Sequence, residues 1–170
     1  MNDTKNNKTV LRRAVFIGIS AALAMVLSYV ELLLPPIYAP LPAVKCGLAN
    51  VAVVFVLIKL GDLQAGAVAA VKVALTALLF GSFVSLAYSA AGAVLSLAVM
   101  MLMKRIRLFS PIGISIGGGV AHNVGQILMA IVLLGRAEIA YYLPVLIISG
   151  TVSGILVGLC GGIAATRIKL

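Results

Sequence analysis

The sequence predicts an all-α membrane protein, a single bundle of six transmembrane helices. Of its 170 residues, 63% are hydrophobic and 10% are charged, whereas soluble domains average roughly 45–50% apolar and about 25% charged residues. A water-soluble fold of this length could not bury so much apolar surface, so the surrounding solvent must be lipid. In lipid, only helices and closed barrels satisfy their own backbone groups. The apolar segments are long and continuous rather than alternating, which favours helices.

Prolines, glycines and basic clusters divide the chain into its helices. A spanning helix needs about 20 residues, which leaves room for six helices and no sizeable soluble domain. Residues 1–9 are polar and are predicted as a disordered cytoplasmic tail, followed by a single transmembrane domain over 10–170. Proline cannot continue a helix, so the first helix ends before Pro35-Pro36 and a stiff, proline-rich loop follows. The predicted helices are 10–34, 46–60, 63–80, 83–103, 111–134 and 139–166.

The basic residues predict the orientation. The formal net charge is +9, and the lysines and arginines cluster at alternate ends of the predicted helices. Cytoplasmic segments of membrane proteins carry an excess of Lys and Arg. With both termini in the cytoplasm, the outer segments hold only Lys45 and Arg136, so this orientation is the one we expect.

Lys72 is the one basic residue near the middle of a predicted span. It lies about 14 Å along the third helix at 1.5 Å per residue. Ionisable residues inside membranes usually face the bundle interior and mark a functional site. As a fixed cation, Lys72 would attract an anionic ligand or pair with Glu31. The alternative is that its side chain extends to the membrane interface.

Three polar residues share one face of the fifth helix. His122 and Gln126 are four residues apart, and Asn123 and Gln126 are three apart, so their side chains lie together. Polar groups in a membrane need partners, which are either other helices or a ligand. Lys45 and Asn50, at the outer start of the second helix, join this set. Because polar positions crowd the outer half of the bundle, we expect a substrate pocket open to the outside.

Small residues repeat every four positions on two helices. Ala14, Gly18 and Ala22 lie on the first helix, and Gly150, Gly154 and Gly158 lie on the sixth. Such strips let another helix approach closely. The partner of each strip is either a neighbouring helix of the bundle or a different membrane subunit.

The residue inventory argues against catalysis, cofactors and nucleic acid. Its four acidic residues are far apart in sequence, so no carboxylate pair and no magnesium-binding acidic motif is formed. There is no phosphate-binding glycine loop and no serine in a nucleophile elbow. Cys46 and Cys160 lie in no metal or redox motif. The basic residues lie at helix ends without interleaved aromatics, unlike a nucleic-acid-binding surface.

Several stretches over residues 10–165 resemble one family of bacterial membrane proteins. They are Leu27-Ser28-Tyr29-Val30-Glu31, Lys45-Cys46-Gly47-Leu48-Ala49-Asn50, Phe80-Gly81-Ser82-Phe83, His122-Asn123-Val124-Gly125-Gln126 and Tyr141-Tyr142-Leu143-Pro144. The pattern is similar to the Gx transporter family, often labelled heptaprenyl diphosphate synthase component I. That pattern has Leu in place of Cys46 and Arg in place of Lys72, and the second change keeps the charge but alters its shape.

That family resembles the substrate-binding S components of energy-coupling factor (ECF) transporters. The resemblance implies a bacterial cytoplasmic membrane protein whose six helices bind a vitamin-like solute from outside. It also implies a transmembrane coupling protein and two cytoplasmic ATPases as partners. Ala14, Gly18 and Ala22 fit the docking face that such components carry on their first helix. The resemblance does not fix the substrate.

The family label leaves a second hypothesis. The chain would then be a non-catalytic membrane subunit of isoprenoid, heptaprenyl diphosphate or quinone synthesis that holds a prenyl chain among its apolar helices.

Overall fold

All regular structure in the described part of the chain is helical. The computed structural model describes residues 2–33, 47–80 and 83–168, and within them the side chains except those of 2–9, 31, 32, 80 and 85. A 3-10 helix (Ala137–Tyr142) precedes the last of the α-helices, which are α1 (Asn2–Leu33), α2 (Asn50–Lys59), α3 (Asp62–Phe80), α4 (Phe83–Ile106), α5 (Pro111–Leu134) and α6 (Leu143–Arg167).

The helix lengths confirm a multi-pass membrane protein but not six full-length spans. Within the residues that the structure describes, five helices are long and apolar enough to cross a membrane, and α2 is the exception with ten residues, Asn50–Lys59. Ten residues cover about 15 Å, against a hydrocarbon core of about 30 Å. The sequence predicts this helix from residue 46. It begins later because Gly47 has a left-handed φ of 69°, and a turn follows in which the Asn50 amide donates to the Gly47 carbonyl at 2.8 Å.

Two other predicted boundaries also differ. Helix α1 begins at Asn2 rather than at residue 10, because no proline or glycine interrupts the segment predicted as a disordered tail. The last span begins with the 3-10 helix, and Pro144 lies in the first turn of α6, where a missing backbone N–H is tolerated. The proline-rich loop lies outside the described residues.

Helix α2 is enclosed by the rest of the bundle. Residues 52–57 are all buried, and Val56 and Leu57 are fully so. The helix packs against α1, α3 and α6. A helix that is apolar all round belongs in a core or in lipid, and here it is in the core. The first amides of the helix are satisfied locally, since those of Asn50 and Val51 donate to the Gly47 and Leu48 carbonyls. The short helix can therefore present its first turn to the interior of the bundle.

The glycine strip on α6 packs against α5. A Cβ atom on Gly154 would lie 2.6 Å from Ile116 Cα, and one on Gly158 would lie 2.7 Å from Ile112 Cα. Gly150 faces Gly119 in the same way. The two backbones are therefore in direct contact, as small residues allow in membranes. The question that the sequence left open for this strip is answered: its partner is a helix of the same bundle.

An ion pair ties three helix ends together on one side of the bundle. Lys104 Nζ, in the last turn of α4, lies 2.7 Å from Asp62 Oδ1 at the start of α3. The same ammonium donates to the Leu57 carbonyl of α2 at 2.8 Å. Lys104 was expected in a loop, but α4 continues to Ile106, where basic residues favour a helix C-terminus. The end of the bundle that contains this ion pair is the one opposite to the first turn of α2.

Replacing Lys104 by methionine is expected to lower the free energy of unfolding by about 1 kcal/mol. The ion pair is about one-third exposed, at 34% for each side chain, so water screens it and the hydrogen bond to Leu57 contributes much of the effect. Thermal unfolding in detergent measures the change, with exposed Arg105→Met as the matched control. Equal effects of the two substitutions would contradict this role for Lys104.

Candidate functional site

A polar cavity lies where the first turn of α2 meets four other helices. About 60 Å³ of it is open to the centres of water molecules, whereas one buried water needs about 10–15 Å³ on that measure. Its polar lining comes from five helices: Ser28 of α1, Asn50 of α2, Lys72 and Thr76 of α3, Ser89 of α4, and His122, Asn123 and Gln126 of α5. Within the described residues, the structure thus brings together Asn50, Lys72, His122, Asn123 and Gln126 of the predicted site.

Lys72 and the first residue of α2 are in direct contact. Lys72 Nζ donates to Asn50 Oδ1 at 2.7 Å, so the amide holds the ammonium at the N-terminal end of α2. A helix N-terminus carries partial positive charge because the peptide dipoles of the helix are aligned. The lysine and the helix end therefore add positive potential to the same small volume. Both favour an anion in the cavity, because the two positive potentials add and neither cancels the other.

The polar face of α5 is shared between the cavity and the helix packing. Asn123 is only 7% exposed, and its Nδ2 donates to the Leu146 carbonyl of α6 at 2.7 Å. This contact is the helix–helix bonding that the sequence offered as one alternative for Asn123. Asn123 also lines the cavity, as do His122 and Gln126. The structure therefore gives Asn123 both a packing contact and a place in the cavity lining.

A glycine of α4 makes room for the histidine. A Cβ atom on Gly92 would lie 2.8 Å from His122 Cε1 and 2.9 Å from its Nδ1. Gly125 of α5 approaches the same turn of α4, since its Cβ would lie 2.7 Å from the Ala91 carbonyl oxygen. Sequence reasoning missed Gly92, because an isolated glycine in an apolar helix gives no sign of which side chain it faces.

The hydroxyl-bearing residues of the cavity were also missing from the predicted site. Ser28 is 6% exposed, and with Thr76 and Ser89 it lines the cavity. The Oγ1 atom of Thr76 is buried and has no hydrogen-bond partner among the described residues. Such a group needs an explanation in a native protein, often a water or ligand that satisfies it. The available signal was their position among the polar residues of the outer half of the bundle, with Thr76 one helical turn beyond Lys72 on α3.

The family model described as heptaprenyl diphosphate synthase component I matches residues 20–163. The chain belongs to this family. Comparisons with curated proteins and with solved structures gave no match. All residues that line the polar cavity, from Ser28 to Gln126, lie within the matched part of the chain. The family described from the sequence is thereby confirmed, and its description names a component of a synthase.

Two predicted site residues of this family member cannot be placed. Lys45 lies outside the described residues, and only the backbone of Glu31 is described, in the last turn of α1. The predicted docking residues lie within the described part of the chain. Ala14, Gly18 and Ala22 are exposed, and a Cβ atom on Gly18 would meet nothing within 4 Å. Unlike the strip on α6, this strip is not covered by the described part of the bundle.

The described residues of the family member include no group of three His, Cys, Asp or Glu side chains that could hold a metal ion. The cavity itself offers one ammonium, one imidazole, three amides and three hydroxyl groups. Such groups bind by charge and hydrogen bonding. The arrangement is therefore equipped to recognise a polar or anionic group.

Replacing Thr76 by valine is expected to leave the free energy of unfolding unchanged or raise it by up to about 1 kcal/mol. A methyl group replaces a buried hydroxyl that lacks a protein partner, and the shape is kept. The matched control is Thr151→Val, which removes a hydrogen bond to the Ile147 carbonyl and is expected to lower stability by about 0.5 kcal/mol. Thermal unfolding in detergent compares them. An equal loss in both variants would show that Thr76 is satisfied within the protein.

Proposed function

We propose that this protein is the substrate-binding S component of an ECF-type importer. The observation that carries the proposal is the polar cavity, where Lys72, Asn50 and the α5 face meet inside an otherwise apolar bundle. Ionisable residues inside membranes are expensive and usually serve a ligand or ion pathway. The cavity has groups for binding and no obvious machinery for chemistry, as a capture subunit requires. Its residues contact the solute, and Lys45 and Glu31 belong to the same proposed site.

The ligand of this site is a small anionic solute taken up from outside. Lys72 and the N-terminal end of α2 both favour negative charge. We place the Lys104 end of the bundle in the cytoplasm of a bacterial cell, with both termini, because Lys59, Lys104, Arg105, Arg107 and Arg167 gather towards that end. Positive residues are favoured on the cytoplasmic side. The cavity then lies in the outer half of the membrane.

The partners of this S component are a transmembrane coupling protein and two cytoplasmic ATPases. The exposed strip of α1, formed by Ala14, Gly18 and Ala22, is the face that meets the coupling protein. Small residues there would let a helix of the partner approach the α1 backbone, and the space beside Gly18 is open.

The partner assignment is tested by purifying the tagged protein from membranes of its native host. We expect the coupling protein and ATPases to be recovered with the wild-type protein. Gly18→Leu should reduce their recovery, since a large side chain would hold the partner helix away. Ala98→Leu, at an exposed position of α4, is the matched control and should leave recovery unchanged. Recovery of a prenyl synthase catalytic subunit in place of the ATPases would contradict the importer proposal.

One observation favours the second candidate function. The family description names a component of heptaprenyl diphosphate synthase. On this alternative, the protein is a non-catalytic membrane subunit of isoprenoid or quinone synthesis. Mass spectrometry of the small molecules released from the purified protein separates the two functions. A water-soluble anion supports uptake, whereas a long prenyl diphosphate without any soluble ligand supports the synthase subunit.

A further inference from the structure

The connection between α4 and α5 alternates basic and apolar side chains, and neither the polar cavity nor the exposed strip of α1 includes any of them. Arg105 lies in the last turn of α4, Arg107 follows that helix, and Leu108 and Phe109 precede α5. Both arginines are exposed, and the two apolar side chains are 84% and 43% exposed. We call residues 105–109 the α4–α5 segment.

The α4–α5 segment lies where two membrane spans end. One candidate span, Leu86–Ile106, ends within it, and the next, Pro111–Leu134, begins two residues after it. Residues between two such spans lie at the level of the lipid head groups. The Phe109 ring is directed back along α5, since a Cβ atom on Gly113 would lie 3.6 Å from Phe109 Cδ1. The apolar part of the segment is therefore turned towards the hydrocarbon.

The two arginines are not neutralised by the acidic residues whose side chains are described. Asp62, the acidic residue at this end of the bundle, is paired with Lys104 at 2.7 Å. Glu138 lies in the 3-10 helix at the opposite end. The positive charge of Arg105 and Arg107 is therefore available to an anionic partner outside the described chain.

The backbone of Arg107 has a conformation that favours glycine. Its φ is 58°, and its amide donates to the Lys104 carbonyl at 3.3 Å where α4 ends. Glycine or asparagine usually takes this position, because other side chains crowd the backbone there. An excess of cytoplasmic positive charge could equally be supplied by an arginine within the helix. A strained residue of this kind indicates that its side chain has a use at that position.

We propose that the α4–α5 segment binds one anionic phospholipid, with Arg105 and Arg107 on its phosphate and Leu108 and Phe109 against its acyl chains. Guanidinium groups suit phosphate, because they can donate two parallel hydrogen bonds to its oxygens. Basic residues beside a transmembrane helix also attract anionic lipids by charge. The apolar side chains favour a lipid over a free phosphate, since they are buried only by a ligand that carries hydrocarbon. This site is separate from the polar cavity and goes beyond the proposed uptake.

The test measures lipid binding to the purified protein by native mass spectrometry, with phosphatidylglycerol and phosphatidylcholine of identical chains as probes. We expect phosphatidylglycerol to bind at least about tenfold more tightly. The double variant Arg105→Gln with Arg107→Gln should remove at least about tenfold of that affinity and leave phosphatidylcholine binding unchanged. The matched control, Arg12→Gln with Arg13→Gln, removes two exposed positive charges from α1 and should retain the affinity, because α1 packs chiefly against α2 and α3.

Two single substitutions separate lipid binding from a structural role and from binding of phosphate alone. Arg107→Gly suits the left-handed backbone, so it should keep its melting temperature in lipid-free detergent while binding phosphatidylglycerol about fivefold more weakly. Leu108→Ser should weaken phosphatidylglycerol binding although both arginines remain. Millimolar glycerol 3-phosphate, a head group without chains, should not displace the lipid.

Equal affinities for the two lipids would overturn the proposal and would leave the arginines to an acidic partner protein. Equal losses in the two double variants would overturn it as well, because binding would then follow total charge rather than the α4–α5 segment. Displacement by glycerol 3-phosphate would show a phosphate site instead of a lipid site. An Arg107→Gly variant that melts earlier and binds lipid normally would show that the side chain serves only the fold.

Discussion

Replacing Lys72 by methionine is expected to weaken binding of the native anionic ligand by about 100-fold, or about 3 kcal/mol. Methionine has a similar length and keeps the apolar stem, but it removes the ammonium that Asn50 holds at 2.7 Å. The N-terminal end of α2 remains, so some attraction for an anion should persist. Binding is measured by calorimetry with the compound that mass spectrometry identifies in the wild-type protein.

Stability separates a ligand-binding lysine from a structural one. A half-buried cation is costly to desolvate, so Lys72→Met should unfold at a temperature equal to or above that of the wild-type protein. Lys72→Arg keeps the charge in another shape and should retain most of the affinity. Lys59→Met, at the opposite end of α2, is the control for loss of one positive charge. A variant that loses thermal stability but binds normally would show that Lys72 serves the fold.

Local signals predicted most helix boundaries correctly. The bounds of α5 match because its ends are set by neighbouring residues. Ser110 accepts a hydrogen bond from the Gly113 amide at 3.2 Å, with Pro111 in the first turn, and Gly135 ends the helix with a left-handed φ of 63°. These are the residue types that start and stop helices. Such signals act within a few residues, so sequence alone reveals them.

The sequence did not reveal how α2 is packed, because apolar composition does not distinguish a helix that faces lipid from one that is enclosed by protein. Both are apolar all round. The burial of residues 52–57 depends on how α1, α3 and α6 surround them. The role of Asn123 was likewise undecided from sequence, which allowed either a bond to another helix or a contact with a ligand. Its partner is a backbone carbonyl 23 residues away on α6, which no local pattern specifies.

Predicting the members of the candidate site was easier than predicting their arrangement. A charge or amide inside an apolar span is conspicuous, so Lys72, Asn50 and His122 could be selected from their depth alone. Gly92 and Ser28 could not, because small residues are common in membrane helices. Their importance arises from what faces them, His122 for Gly92 and the cavity for Ser28. The sequence therefore identified the polar groups of the site, whereas tertiary packing determined the shape of the cavity that they line.

Gly154→Leu is expected to have the largest effect on folding, lowering the free energy of unfolding by about 3 kcal/mol. Its Cβ atom would lie 2.6 Å from Ile116 Cα and 2.9 Å from the Ser115 carbonyl oxygen. These are backbone atoms, which cannot rotate away as a flexible side chain could, so α5 and α6 must separate. The change is measured by thermal unfolding in detergent, with Gly154→Ala as an intermediate step.

Gly18→Leu is the matched control, because a Cβ atom there would meet nothing within 4 Å. Both substitutions gain the helix propensity of leucine over glycine, about 1 kcal/mol, so their difference isolates the packing between α5 and α6. Gly154→Leu should also weaken ligand binding, since separating the helices moves Asn123 away from the Leu146 carbonyl, now 2.7 Å from its Nδ2. Gly154→Leu should therefore lose both stability and binding, whereas Lys72→Met should lose binding and keep its stability. Similar melting temperatures for Gly154→Leu and Gly18→Leu would mean that the glycine strip of α6 does not hold the bundle together.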